Sequence, residues 1–159
     1  MKAALGNPSI PAMARFRKHG LAGAVAAALL LAGCGGPQPL YDRVGGFATM
    51  SHIGDSLVVD IGRDPVLMRR FKGFSVADIQ RQRTANVVFA CELAGGPCRY
   101  RGLSMERIHR GMDIDDDEFD RMLALFAAAA KRASPDPGAA DELTARFAGL
   151  RSAVVTHSK

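Results

Sequence analysis

The sequence has no tryptophan, two tyrosines and eight phenylalanines, so aromatic residues make up 6% of its 159 positions. Few large side chains are therefore on hand to fill a core, and a bound apolar cofactor could complete one. Histidine is scarce as well: four are present, including His52, His109 and His157. The three cysteines, Cys34, Cys91 and Cys98, form no C-x-x-C pair, and neither His52 nor His157 has a second ligand at a metal spacing, which excludes the usual zinc motifs. No charge-free apolar run approaches the ~20 residues of a spanning helix. No segment alternates apolar and polar residues convincingly enough for a strand, and no long repeat or low-complexity tract is present.

What is present begins with an export signal. Arg15, Arg17, Lys18 and His19 form a basic cluster, residues 20–31 follow without a charge, and Leu31-Ala32-Gly33-Cys34 closes the segment. A positive n-region, a short apolar h-region and small residues at a cleavage point make a secretory signal. Its ending resembles the lipobox of bacterial lipoproteins, in which the cysteine becomes the lipidated first residue. Residues 1–33 are thus expected to be a signal peptide, and Cys34 the lipidation site. Residues 34–39 would be a tether, 40–155 the folded domain and 156–159 a tail. The protein would be extracytoplasmic, held on a bacterial membrane by its lipid, with the periplasmic side favoured. A soluble secreted protein with an incidental cysteine is the competing reading. Residues 1–33 carry four of the 21 basic residues and none of the 16 acidic ones, so 17 remain against 16. A near-neutral mature chain has no basic stripe for nucleic acid.

Helical patterns dominate from Leu40 onward, and the predicted class is all-α. A short helix over 40–44 stops at Gly45-Gly46, a second runs over 48–61, and a turn covers 66–71. Ser75, with Asp78 in the first turn, predicts the start of a third helix reaching residue 93. Ser104 is expected to cap the short helix carrying His109. Asp115, Asp116, Asp117 and Glu118 place acids at the start of a fifth helix reaching residue 132, as the macrodipole prefers. Residues 135–138 read as a loop, and 140–155 as the last helix.

Two helices carry candidate chemistry. Met105, Ile108, His109 and Met112 fall on one helical face, which puts an imidazole in an apolar stripe. On the third helix the spacing gives a stripe of Ile79, Gln82, Asn86, Phe89 and Leu93. An unpaired buried amide costs on the order of 1–3 kcal/mol, so Gln82 and Asn86 need partners, unless they line a solvated groove. His109 likewise reads either as a core histidine bonded to a carbonyl or as a ligand. A slot with an imidazole on one wall and amide donors on the other suits a haem that takes a small ligand. C-x-x-C-H, the c-type attachment motif, is absent.

In order along the chain, "LYDRVGG", "RDPVLMRRF", "FACELAGGP" and "YRGLSMERIHRGMDI" resemble the truncated haemoglobin family, group I type. In the last of these Tyr100, Gly102, Met105, His109, Gly111 and Ile114 fall into register, and Phe119 follows where the family has an aromatic. The resemblance covers residues 40–155. It implies a two-over-two helical sandwich around haem b, with His109 as axial iron ligand. Phe71, Phe89, Met105 and Ile108 would pack on the haem, and Arg81, Tyr100 and more weakly Arg83 would reach its propionates. The implied partners are O2, NO or another small ligand, with an unknown reductase if the haem turns over.

The sequence departs from the family at the distal site. The tyrosine that commonly donates to bound ligand is replaced by Val58, and the preceding aromatic by Leu57. Gln82 and Asn86 occupy the two ligand-facing positions of the distal helix. The stretch between Phe71 and Asp78 looks about three residues longer than the group I pattern. A haem globin that binds O2 or another small gaseous ligand at a His-ligated iron is the leading expectation. NO or peroxide detoxification, or a globin-like interaction lipoprotein without haem, are the alternatives. Cys91 and Cys98 are far enough apart to close a small loop as a disulfide. Otherwise Cys91 is a small buried hydrophobe and Cys98 an exposed thiol.

Overall fold

In the computed structural model, residues 36–157 are described. The expected signal peptide and the lipidation candidate Cys34 lie outside the described residues. Helix α1, Leu40–Val44, ends because Gly45 turns left-handed at φ 105°, with its N–H returned to the carbonyls of Tyr41 and Asp42. Glycine is required there: a Cβ would collide with the Thr49 side chain, on a backbone conformation other residues rarely adopt. Helix α2, Gly46–Arg63, follows at once, two residues earlier and two later than the sequence pattern indicates.

Asp64 then accepts from the backbone N–H of Val66 at 2.9 Å and of Leu67 at 3.0 Å, which starts a 3-10 segment over Leu67–Phe71. The bond from Leu67 is the main reason that its carboxyl titrates below the usual aspartate range, against the opposing pull of burial. Helix α3, Val76–Leu93, opens with the expected capping box between Ser75 and Asp78. Helix α4, Met105–His109, is a turn and a half with no buried residue. Ser104 precedes it but makes no side-chain cap bond to the backbone. The Glu106 carboxyl is held below the ordinary glutamate range, first by its own backbone N–H and then by the Ser104 side chain, against burial.

Helix α5, Asp116–Ala133, starts at a second capping box, Asp115 with Glu118. The last predicted helix is two elements: α6, Pro137–Ala148, and α7, Arg151–Val154. Asp136 caps α6 through the N–H groups of Gly138 and Ala139, with Pro137 in the first turn where its missing donor costs nothing. Residues 137–138, read as loop, are therefore helix. Gly149 ends the element, and the Leu143, Phe147, Leu150, Val154 pattern runs across the break.

The architecture is two pairs of helices, α2 on α3 and α5 on α6, joined where α2 crosses α5. It is an all-α, two-over-two globin fold. Gly54 allows α2 and α3 to approach closely, since a Cβ there would lie 2.7 Å from Val87 Cγ2. Alongside it Arg83 bonds Asp55 at 2.8 and 2.9 Å and the Ser51 carbonyl at 3.1 Å. The α5–α6 interface is built from Ala129, Ala130, Ala139, Ala140 and Leu143, all fully buried. Such small residues bring the two helix backbones close together. The scarce aromatics are grouped rather than scattered: Phe126 lies on Phe147 at 4.1 Å, Phe147 on Phe89 at 6.0 Å, and Phe89 on Tyr100 at 5.3 Å. No helix among the described residues is long and apolar enough to cross a membrane.

Cys91 and Cys98 form a disulfide across a Cα separation of 5.8 Å. It joins the end of α3 to the segment leading to α4. In the chain-entropy model a loop of about eight residues closed in the unfolded state is worth about 2.5 kcal/mol. Replacing both cysteines by serine is expected to lower unfolding free energy by roughly that amount, read from urea midpoints at unchanged slope; full reduction of the native protein should give the same loss.

Candidate functional site

Helix α4 presents His109 at its last position. Its Nδ1 lies 2.8 Å from the Met105 carbonyl, one turn back. A carbonyl can only accept, so Nδ1 carries the proton and Nε2 keeps its lone pair. Nε2 has no protein partner among the described residues. The ring therefore has a fixed tautomer and one open donor atom, the arrangement of a metal-ligating imidazole. The carbonyl bond that the first reading of His109 expects is present, and it leaves Nε2 unpartnered.

The flanking stripe fits. Met105 and Ile108 are half-buried beside the imidazole. Leu103, just before α4, is exposed, as are Phe74 and Val76 between the 3-10 segment and α3. Phe71 is half-buried with its ring edge-on to Phe74 at 5.5 Å.

On α3 the buried face is Val87, Ala90 and Cys91, one position away from the stripe inferred from spacing. Gln82 and Asn86 are exposed, and Gln82 Nε2 donates to Asn86 Oδ1 at 3.5 Å. The two amides are thus brought together on an accessible face, not in the helical core. Phe89, half-buried, takes its place in the aromatic group. Val58 on α2 is half-buried, and its side chain has no polar atom to donate.

The propionate candidates are placed differently. Arg81 is exposed and pairs with Asp78 on its own helix. Arg83 is committed to Asp55 and Ser51, so it serves the α2–α3 crossing instead. Tyr100 has its ring on Phe89, and its backbone N–H donates to Glu92 Oε2 at 2.9 Å.

Spacing did not reveal the strongest polar group of this region. Arg70 donates from Nε to Glu118 Oε1 at 2.8 Å and from Nη2 to Glu118 Oε2. It also donates from Nη1 to the Met112 carbonyl at 2.5 Å and from Nη2 to the Asp113 carbonyl at 2.9 Å. Glu118 is the one buried charged side chain among the described residues. The guanidinium holds its carboxyl below the ordinary glutamate range, although burial pushes the other way. Glu118 in turn raises the affinity of Arg70 for its proton. The only local signal was Glu118 at the third position of a capping box; its partner lies 48 residues away.

These features define a two-over-two globin with an accessible, singly bonded histidine. Residues 39–156 match the family model for bacterial-like globins, and the chain belongs to that family. A group 1 truncated hemoglobin from Nostoc commune is 32% identical over 81 residues, 51% of this chain and 66% of its own length. The chain thus spans just under two thirds of that relative. One from Mycolicibacterium paratuberculosis is 26% identical over 76% of this chain and 86% of its own. Among solved structures, the Fe(III) form of the truncated hemoglobin from Tetrahymena pyriformis superposes with a TM-score of 0.67 at 23% identity, over 74% of this chain and 98% of that one. The 2/2 hemoglobin of a Synechococcus species, in the cyanomet state with covalently attached heme, gives 0.66 at 20% identity, over 76% and 100%.

Proposed function

We propose that this globin holds haem b through His109 Nε2 and binds O2 or another small gaseous ligand. The observation that carries the reading is the His109 to Met105 hydrogen bond, which fixes the tautomer and leaves one coordinating nitrogen beside apolar side chains. The haem would supply an iron with an open position. The chain supplies the rest. Met105, Ile108, Phe71 and Phe89 give an apolar lining that keeps water from the site. Gln82 and Asn86 offer amide donors to the ligand, and Val58 offers none. Arg81 and Tyr100 would reach the propionates, Arg81 by leaving its pairing with Asp78.

We infer further that the protein is exported and lipidated at Cys34. The disulfide supports an oxidising compartment, where such bonds persist. Multiple acyl chains, at ~0.8 kcal/mol per buried methylene, would make the attachment stable. Mass spectrometry of the native protein is expected to find an acylated Cys34, and Cys34→Ser is expected to release the globin from membranes or leave it unprocessed. An unmodified Cys34 would remove the anchor.

His109→Ala is expected to abolish the histidine-ligated ferrous absorption spectrum of the haem-loaded protein, and His52→Ala to leave it intact. A histidine-ligated spectrum surviving in the His109 variant would end this reading.

The distal amides set ligand release. A hydrogen bond to a charged or strongly polarised group contributes ~1.5–3 kcal/mol, and 1.4 kcal/mol is a factor of ten. Stopped-flow O2 dissociation is expected to quicken by roughly tenfold or more in Gln82→Leu combined with Asn86→Leu. Gln82→Leu alone should give most of the effect. Carbon monoxide, a weaker acceptor, should respond less. Unchanged O2 rates in both single variants and the double one would take the amides out of the site.

A further inference from the structure

We propose that Arg70 is a positioning residue for the His109 imidazole, acting through the turn that follows it. The proposal rests on His109 as haem ligand. Helix α4 buries none of its residues, and its main packing contact is the four-residue α7. Little core packing fixes the direction of the imidazole, so the chain on either side of it must.

On the exit side, Met112 N–H donates to the His109 carbonyl at 3.0 Å. Gly111 stands at φ 75° and Asp113 at φ 53°, the latter the one non-glycine left-handed residue among those described. Left-handed backbone is uncommon for a residue with a Cβ, though less so for aspartate than for most, and bonds from outside the turn help it keep its shape. Arg70 makes them. Its guanidinium bonds the carbonyls of Met112 and Asp113 while both Glu118 oxygens fix the fork. Glu118 is itself pinned by the Asp115 capping box.

Arg70 also precedes Phe71 in the 3-10 segment. One guanidinium therefore sets both where Phe71 stands and where the chain leaves His109. It ties the 3-10 segment to the turn after His109, which direct packing of α4 on that segment does not do among the principal helix contacts.

The test uses the full chain loaded with haem. Arg70→Lys keeps the charge but loses the planar fork, and Glu118→Gln keeps the shape of the acceptor but loses its charge. Arg43→Lys is the control, because Arg43 pairs with Glu142 and Asp136 across α1 and α6, away from this turn. Resonance Raman of the ferrous protein reads the iron–histidine stretch, and transfer to an excess of apomyoglobin reads haem loss. In Arg70→Lys and Glu118→Gln the stretch is expected to shift and broaden. Haem loss should quicken by about tenfold, the factor that one charge-assisted hydrogen bond brings. Arg43→Lys should lower the urea midpoint with the stretch unmoved. If the wild-type stretch is present and neither Arg70→Lys nor Glu118→Gln moves it, the positioning role is overturned while His109 ligation stands. If the wild type shows no iron–histidine stretch, the ligation itself fails and the proposal with it. A change of equal size in Arg43→Lys would reduce Arg70 to a general stabiliser and overturn the proposal too.

Discussion

A helix of five residues cannot hold itself. Nucleation costs more than so few hydrogen bonds return, and isolated helices below ~12–15 residues are marginal in water. Helix α4 is that short and carries His109, whose Nδ1 is bonded to the Met105 carbonyl and whose Nε2 has no protein partner among the described residues. Its position is therefore decided by ties at its two ends. Upstream, the Cys91–Cys98 disulfide, the Glu92 bond to Tyr100 and the Phe89–Tyr100 contact fasten the approach to the end of α3. Downstream, Arg70 fastens the exit to the 3-10 segment and the start of α5. The four long helices serve as the base to which both sets of ties are made.

The charges follow the same division. Most ion pairs join exposed groups, such as Arg81 with Asp78 or Lys131 with Asp141, and pairs of that kind contribute little. Glu118 differs because it is buried, bonded on both oxygens and placed at a junction of three segments. Removing one partner of such a pair strands the other away from water, which costs much more than the pair was worth intact. A chain with almost equal numbers of basic and acidic residues after position 33 thus keeps its structurally consequential charge in one place.

The long helices were legible because their ends are written locally. Ser75 with Asp78, and Asp115 with Glu118, are capping boxes within four residues of chain. The glycine pair at 45–46 ends one helix and begins the next. The break at Gly149 was not legible, since Leu143, Phe147, Leu150 and Val154 keep a helical period across it. The stripe on α3 was displaced by one residue: Gln82 and Asn86, read as part of an apolar stripe, are exposed, and Val87, Ala90 and Cys91 face the core. Spacing gives a face and not its bearing, and Gly54 decides the bearing by letting α2 approach Val87 closely. Arg83 was read as a weak propionate partner because its true partner, Asp55, lies on another helix. Arg70 escaped for the same reason. Pairings across tens of residues leave no local trace, whereas the histidine, its spacing and its glycine-bounded neighbourhood do.

The strap at the far end of the chain bears on the order of events in biosynthesis. Thr156 and His157 give their backbone N–H groups to the Ile114 carbonyl at 3.0 and 3.1 Å, and Ile114 N–H returns a bond to Thr156 Oγ1 at 3.1 Å. Helix α7 lies against α4 just before this strap. The residues that close over the imidazole helix are thus made some forty positions after it. While the ribosome still holds residues 150–157, the long helices can pair but α4 lacks its cover. Completion of the fold around α4 is then a late step, reached only after this last stretch has been made.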